Sequence, residues 1–151
     1  MGANIFNQKD YMDIKNRINQ LTTQSQRKWG KMSLKQTLEH CNIQLKIGLG
    51  IVSETGYEGP SLFRTKLGRW MLLYALPWPK GTETPSKMNI LNNGSPVPDL
   101  QNSKQALLEL LEKVQSENRL NPHPFFGDMK MKDWGRLIWK HLDHHLRQFG
   151  N

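Results

Sequence analysis

Apolar residues recur along this chain at helical spacing in four or five separate stretches, and nowhere do they keep the alternation of a half-buried strand. The first stretch, about Phe6 to Leu21, sets Ile14, Ile18 and Leu21 at intervals compatible with one helical face, with Ile5 just ahead of it. The second opens on Ser33 with Gln36 three residues later, a capping-box pattern in which each side chain satisfies the other's backbone N–H. Leu34, Leu38, Cys41, Leu45 and Leu49 follow as one stripe, which Gly48 and Gly50 weaken at its end. A third stretch, Ser61 to Leu76, is stopped by Pro77 and Pro79. Residues 77–101 are rich in Pro, Gly, Asn, Ser and Thr and read as a long connection, of a kind that often borders a functional site. Leu107, Leu110, Leu111 and Val114 predict a helix from about Asn102 to Asn118. The segment NPHPFFG at 121–127 reads as a rigid turn followed by exposed or docking aromatics. A last helix is expected from about Met131 to Phe149, with Gly150 as its stop. Helices without strands predict an all-α bundle.

Composition narrows the class further. A chain of 151 residues has the length of one domain with a real core, so a single domain over 1–151 is expected. With 36% hydrophobic and 23% charged residues it is neither a disordered tail nor a fibrous repeat. The lone Cys41 cannot form an internal disulfide. The longest near-apolar run, Trp70 to Trp78, falls far short of the roughly 20 residues a membrane span requires. The opening MGANIFNQKDYMDI lacks the features of a secretory signal, and Phe6 stands where myristoylation wants Ser or Thr. A cytoplasmic protein without a membrane partner is expected. The net charge of +8 could attract nucleic acid, but no run of cations exceeds two and aromatics are not interleaved with them. A solvated basic surface is the simpler reading.

The five histidines carry the chemistry. His141 and His145, in KHLDHH on the last helix, lie only about 40° apart around its axis, among Trp134, Leu137, Ile138 and Phe149. Arg136, Lys140, Asp143 and Arg147 fall on the opposite face, and His144 is turned toward the edge of the apolar stripe. A buried imidazole left without partners costs about 1–3 kcal/mol, and two of them at i, i+4 on an apolar face can share a divalent ion. The plainer alternative is a pair of core histidines bonded to neighbouring side chains. His40 shares a second side of its helix with Gln36, Ile43 and Ile47, so this helix is expected to be buried on two faces, with His40 as third ligand. His123, between Pro122 and Pro124, reads as a surface or lid residue. Cys41 on an apolar face reads as inert packing. Asp143 does not make a zinc-protease helix, because Glu is missing after the first His.

The stretch HPFFGDMKMKDWGRLIWKHLDHHLRQFG at 123–150, together with WGKMSLKQTLEHC at 29–41, resembles the DinB-like (DinB/YfiT-like) superfamily over nearly the whole chain, closest to a branch of small bacterial proteins. The resemblance implies an up-and-down four-helix bundle holding one divalent metal through His40, His141 and His145, with His144 at the adjacent position. It further implies thiol-dependent transferase or isomerase activity with a low-molecular-weight thiol, or metal-dependent hydrolysis, on a small-molecule substrate, and a homodimer in some members. Lys130 departs from the Ser or Thr with which relatives begin the last helix, which touches the cap and not the ligand spacing.

Three neutral imidazoles leave a coordination position open, as catalytic sites do. Zinc and nickel both suit such nitrogen donors, and both stay open here. A metal-dependent thiol transferase or hydrolase is therefore the leading expectation, without an assignable general base. A non-catalytic metal-binding stress-response bundle comes second, and a basic nucleic-acid binder third.

Overall fold

The computed structural model describes residues 2–52, 59–81 and 98–151, and among these it is helical without a strand. Helix α1, Gln8–Gln20, starts where the Asn7 side chain accepts from the backbone of Lys9 and Asp10, and it buries Tyr11, Ile14 and Ile18. Helix α2, Leu34–Gly48, begins with the expected capping box of Ser33 and Gln36, both halves of which are formed. It buries Leu38, Cys41 and Leu45 on one side and His40, Gln44 and Ile47 on others, as a helix buried on two faces should.

The third stretch is not one helix. A 3₁₀ turn at Ser61–Arg64 leads into the short α3, Lys66–Trp70, and then into one π turn, Met71–Ala75. Gly68 explains the break: a Cβ there would lie 2.1 Å from the Leu62 carbonyl oxygen, so the chain doubles back closer than any other residue allows. The Thr65 hydroxyl caps the Gly68 N–H at 3.1 Å and restarts the helix. In the π turn the Leu76 N–H reaches back five residues to the Met71 carbonyl, at 2.8 Å. Of the connection expected at 77–101, residues 82–97 lie outside the described residues.

Helix α4, Leu100–Ser116, starts two residues before the expected Asn102, because Asp99 caps the Asn102 N–H at 3.0 Å. Helix α5, Met131–Gln148, has Lys130 at its N-cap with no side-chain bond, and Gly150 (φ +84°) ends the chain's last turn. Helix α1 packs on α5 and α4, and α2 packs on α4 and α5, so each long helix touches two others around a shared core. Trp134, Ile14, Ile18, Leu45, Leu107, Leu111 and Ile138 are fully buried in it. No helix among the described residues is long and apolar enough to cross a membrane.

Two expectations about polar surfaces need correction. Lys140 is not on a solvated face: it is buried, and its Nζ donates to the Leu72 and Leu76 carbonyls at 2.5 Å each. The π turn frees these carbonyls at its end, and a cation there satisfies them and meets the negative pole of the helix. Burial, with Arg136 nearby, lowers the Lys140 pKa to about 8. Lys104 does the same for α1, donating to the Asn19 and Leu21 carbonyls at 2.9 and 2.8 Å.

The loop at 121–127 is the second correction. His123 is buried, not a surface or lid residue, and Phe126 docks beside it, as the second of the two alternatives for these aromatics has it. The loop closes on itself through mutual backbone bonds of His123 and Gly127, at 2.9 and 2.7 Å, and the Phe125 and Phe126 N–H groups both donate to His123 Nδ1. An imidazole that accepts these N–H groups must lie inside the turn, which carries it against the Trp134 ring at 5.3 Å.

Candidate metal centre

Helix α5 carries Trp134, Leu137, Ile138 and His141 along one stripe into the core, and His145 follows one turn later at its margin. Helix α2 brings His40 in from the facing side, on the same turn as the buried Cys41. The three rings meet at their Nε2 atoms. His40 Nε2 and His141 Nε2 are 2.8 Å apart, and His145 Nε2 and His141 Nε2 are 3.2 Å apart. The His40 and His145 ring centres are 5.0 Å apart, and one nitrogen from each of the three lies within 4.8 Å of the others.

Neutral imidazoles offer one N–H and one lone pair each, so without an ion an Nε2–H on His141 can donate to a neighbouring Nε2, whereas a cation between the three would take a lone pair from every ring. The protonation chemistry agrees. Burial, then the neighbouring His145 and His40, hold His141 far below the usual imidazole range, and burial followed by His40 lowers His145 to about 3. These two rings thus stay neutral and ligand-competent at neutral pH. A tetrahedral ion with nitrogens at about 2.0–2.1 Å separates its ligand atoms by roughly 3.3 Å, close to the 3.2 Å between His141 and His145, while the 2.8 Å between His40 and His141 must open to admit it. The all-nitrogen donor set suits a divalent transition metal, and the group could hold one.

Around this group the structure sorts the remaining expected residues. His144 adds no nitrogen to the cluster; it sits half-buried between the Trp29 and Trp78 rings, 6.0 and 6.1 Å away. His123 stays with its own loop. Cys41 is buried and its thiol is pushed far up by burial, so it is held protonated as packing. Asp143 is taken by Arg17 at 2.9 Å and by Arg147 at 3.1 Å. Among the described residues the cluster contains no carboxylate.

Two neighbours of the site went unnoticed in the sequence. Trp78, just inside the Pro-rich connection, packs its ring 5.9 Å from His141 and is pinned by its indole N–H to the Leu72 carbonyl. Gln148 holds His145 Nδ1 with its Oε1 at 2.9 Å and donates through Nε2 to the Trp29 carbonyl at 2.7 Å. A signal for Gln148 existed: it stands three residues after His145, a polar side chain on the same helical face.

Fold and site together define a helical protein with a buried three-imidazole group fit for a divalent ion. The family model described as "Protein of unknown function (DUF1569)" matches residues 6–151, and the chain belongs to that family. No curated protein and no solved structure matches the chain.

Proposed function

We propose that this chain is a one-domain, up-and-down four-helix bundle of the DinB-like type, which binds one zinc or nickel ion through His40, His141 and His145 and uses it in catalysis. The observation that carries the reading is the convergence of the three Nε2 atoms from two helices on one point. Bound there, the metal would supply a Lewis acid whose open position lowers the pKa of a water or thiol that reaches it. His40, His141 and His145 present their ring nitrogens to one another, and Leu38, Leu142 and Leu146 line the small cavity beside His145. Thiol transfer is the reading preferred over hydrolysis, because a low-molecular-weight thiol needs only acidification to become nucleophilic. The substrate is then a small electrophile, and the site is cytoplasmic, where such thiols are reduced.

One observation favours a second reading, a metal that only rigidifies the core. The cavity beside His145, between Leu34, Cys41 and Phe149, measures about 10 Å³, which admits about one water and no thiol cosubstrate.

The test is metal content followed by activity. Full-length protein purified without chelator is expected to carry about one divalent ion per chain, and the His141→Ala/His145→Ala double variant almost none. Undiminished metal in the double variant sinks the site. Metal loss that unfolds the protein, with no turnover across a panel of thiol cosubstrates and electrophiles, moves the reading to the structural ion.

A further inference from the structure

The amide of Gln148 spans two different partners, and only one orientation satisfies both. The Trp29 carbonyl can only accept, so the Gln148 NH₂ must face it at 2.7 Å. That turns Oε1 toward His145 Nδ1 at 2.9 Å, and an amide oxygen can only accept in turn. His145 Nδ1 must therefore carry the ring's proton, which leaves Nε2, the atom that faces His141 at 3.2 Å, as a bare lone pair.

The loop that supplies the carbonyl is shaped to permit this. Gly30 follows Trp29 with φ +83°, and a Cβ on it would lie 2.2 Å from Gln148 Nε2. The Gln148 backbone completes the clamp, its carbonyl accepting from Lys28 N–H at 2.7 Å. No comparable anchor holds His141, whose Nδ1 is buried with no hydrogen-bond partner.

We infer that Gln148, seated against the Trp29–Gly30 loop, is a positioning residue that fixes the tautomer and ring orientation of His145 for metal binding. The inference rests on the three-histidine reading for its metal consequence, while the tautomer assignment stands on the hydrogen bonds alone. Residues that hold the far nitrogen of a ligating histidine typically change metal affinity by about 10–100-fold when removed, without touching the ligand itself.

The experiment has two readouts on the full chain. Long-range ¹H–¹⁵N spectra of the metal-free protein report which ring nitrogen of His145 carries the proton, and competitive titration with Co²⁺ alone reports affinity. The wild type is expected to show His145 as the Nδ1–H form. Gln148→Met is expected to lose that single tautomer and to bind Co²⁺ about 10–100-fold more weakly. Gln148→Glu keeps an acceptor at Nδ1 and so should retain both tautomer and affinity, although its carboxylate repels the Trp29 carbonyl. A merely structural glutamine would show the reverse order, with the Glu variant the worse of the two. Gly30→Ala should displace the amide and weaken Co²⁺ in the same direction as Gln148→Met, which carries the test if the Met variant does not fold.

His145 found as the Nε2–H form in the wild type overturns the inference. So does a Gln148→Met protein with unchanged tautomer and affinity. A wild type that takes up no Co²⁺ overturns the metal reading instead, and the tautomer spectra still decide the role of Gln148.

Discussion

The loop at 121–127 and the C-terminal half of α5 both bury a histidine, and burial lowers the pKa of both, His123 to about 3 and His141 well below the usual imidazole range. Their surroundings differ. His123 spends its Nδ1 on two backbone N–H groups of its own turn, and its Nε2 is buried against the Trp134 ring without a hydrogen-bond partner. His141 turns its Nε2 on two other imidazoles from two helices. Burial and a depressed pKa therefore do not separate a structural histidine from a ligand. What sets His141 apart is the convergence of ring nitrogens from two helices.

The largest effect is expected in the core beside the loop, on the same helix that carries His141. Trp134, fully buried, lies against His123 and under Gly48 of α2, and Trp134→Ala should cost about 3–5 kcal/mol in chemical denaturation. If the proposed metal site forms, the folded fraction should still take up metal, because His141 sits two turns further along α5; uptake lost together with the tryptophan would mean that the regions are not separable.

Next comes a direct contrast of the two kinds of histidine. His40→Ala should weaken metal binding by more than the roughly 10–100-fold that follows loss of an outer partner, whereas His123→Asn should leave it within about twofold. Equal losses in a metal titration would erase the distinction.

The smallest effect is on acid stability. A histidine whose folded pKa lies below its unfolded value near 6.5 binds its proton better when the chain is unfolded. Its contribution is therefore complete above about pH 6.5 and is lost progressively as pH falls toward the folded value of about 3. Asn at 123 places an amide oxygen where Nδ1 accepts the Phe125 and Phe126 N–H groups, and it does not titrate. His123→Asn should thus remove about one proton, or up to about 1.4 kcal/mol per pH unit, from the slope of unfolding free energy between pH 4 and 6. An unchanged slope would show that His123 is protonated in the folded protein.

Much of this was legible before any coordinates. Ser33 and Gln36 announced the start of α2, and the spacing of Trp134, Leu137, Ile138 and His141 announced which side of α5 turns inward, because both signals are local and repeat every turn. His40 was found by the same logic, as a polar residue on the second apolar side of its helix. The misses share a cause. Charge puts Lys140 outside, flanking prolines put His123 there, and apolar spacing makes the third stretch one helix, yet the outcome rests on distant carbonyls, on a turn that folds around its own imidazole, and on a close approach at one glycine.

By itself, then, the amino-acid order determined that the described residues are helical, where α2 begins, and that His40 and His141 turn inward, since hydrogen bonding and amphipathic period act over three or four residues. Only the tertiary structure decided that His40 meets His141 across 101 positions, that Gln148 sorts the proton on His145, and that Lys140 closes a π turn in the core. Those outcomes depend on which helices pack together, and no spacing within one helix encodes the distance between two.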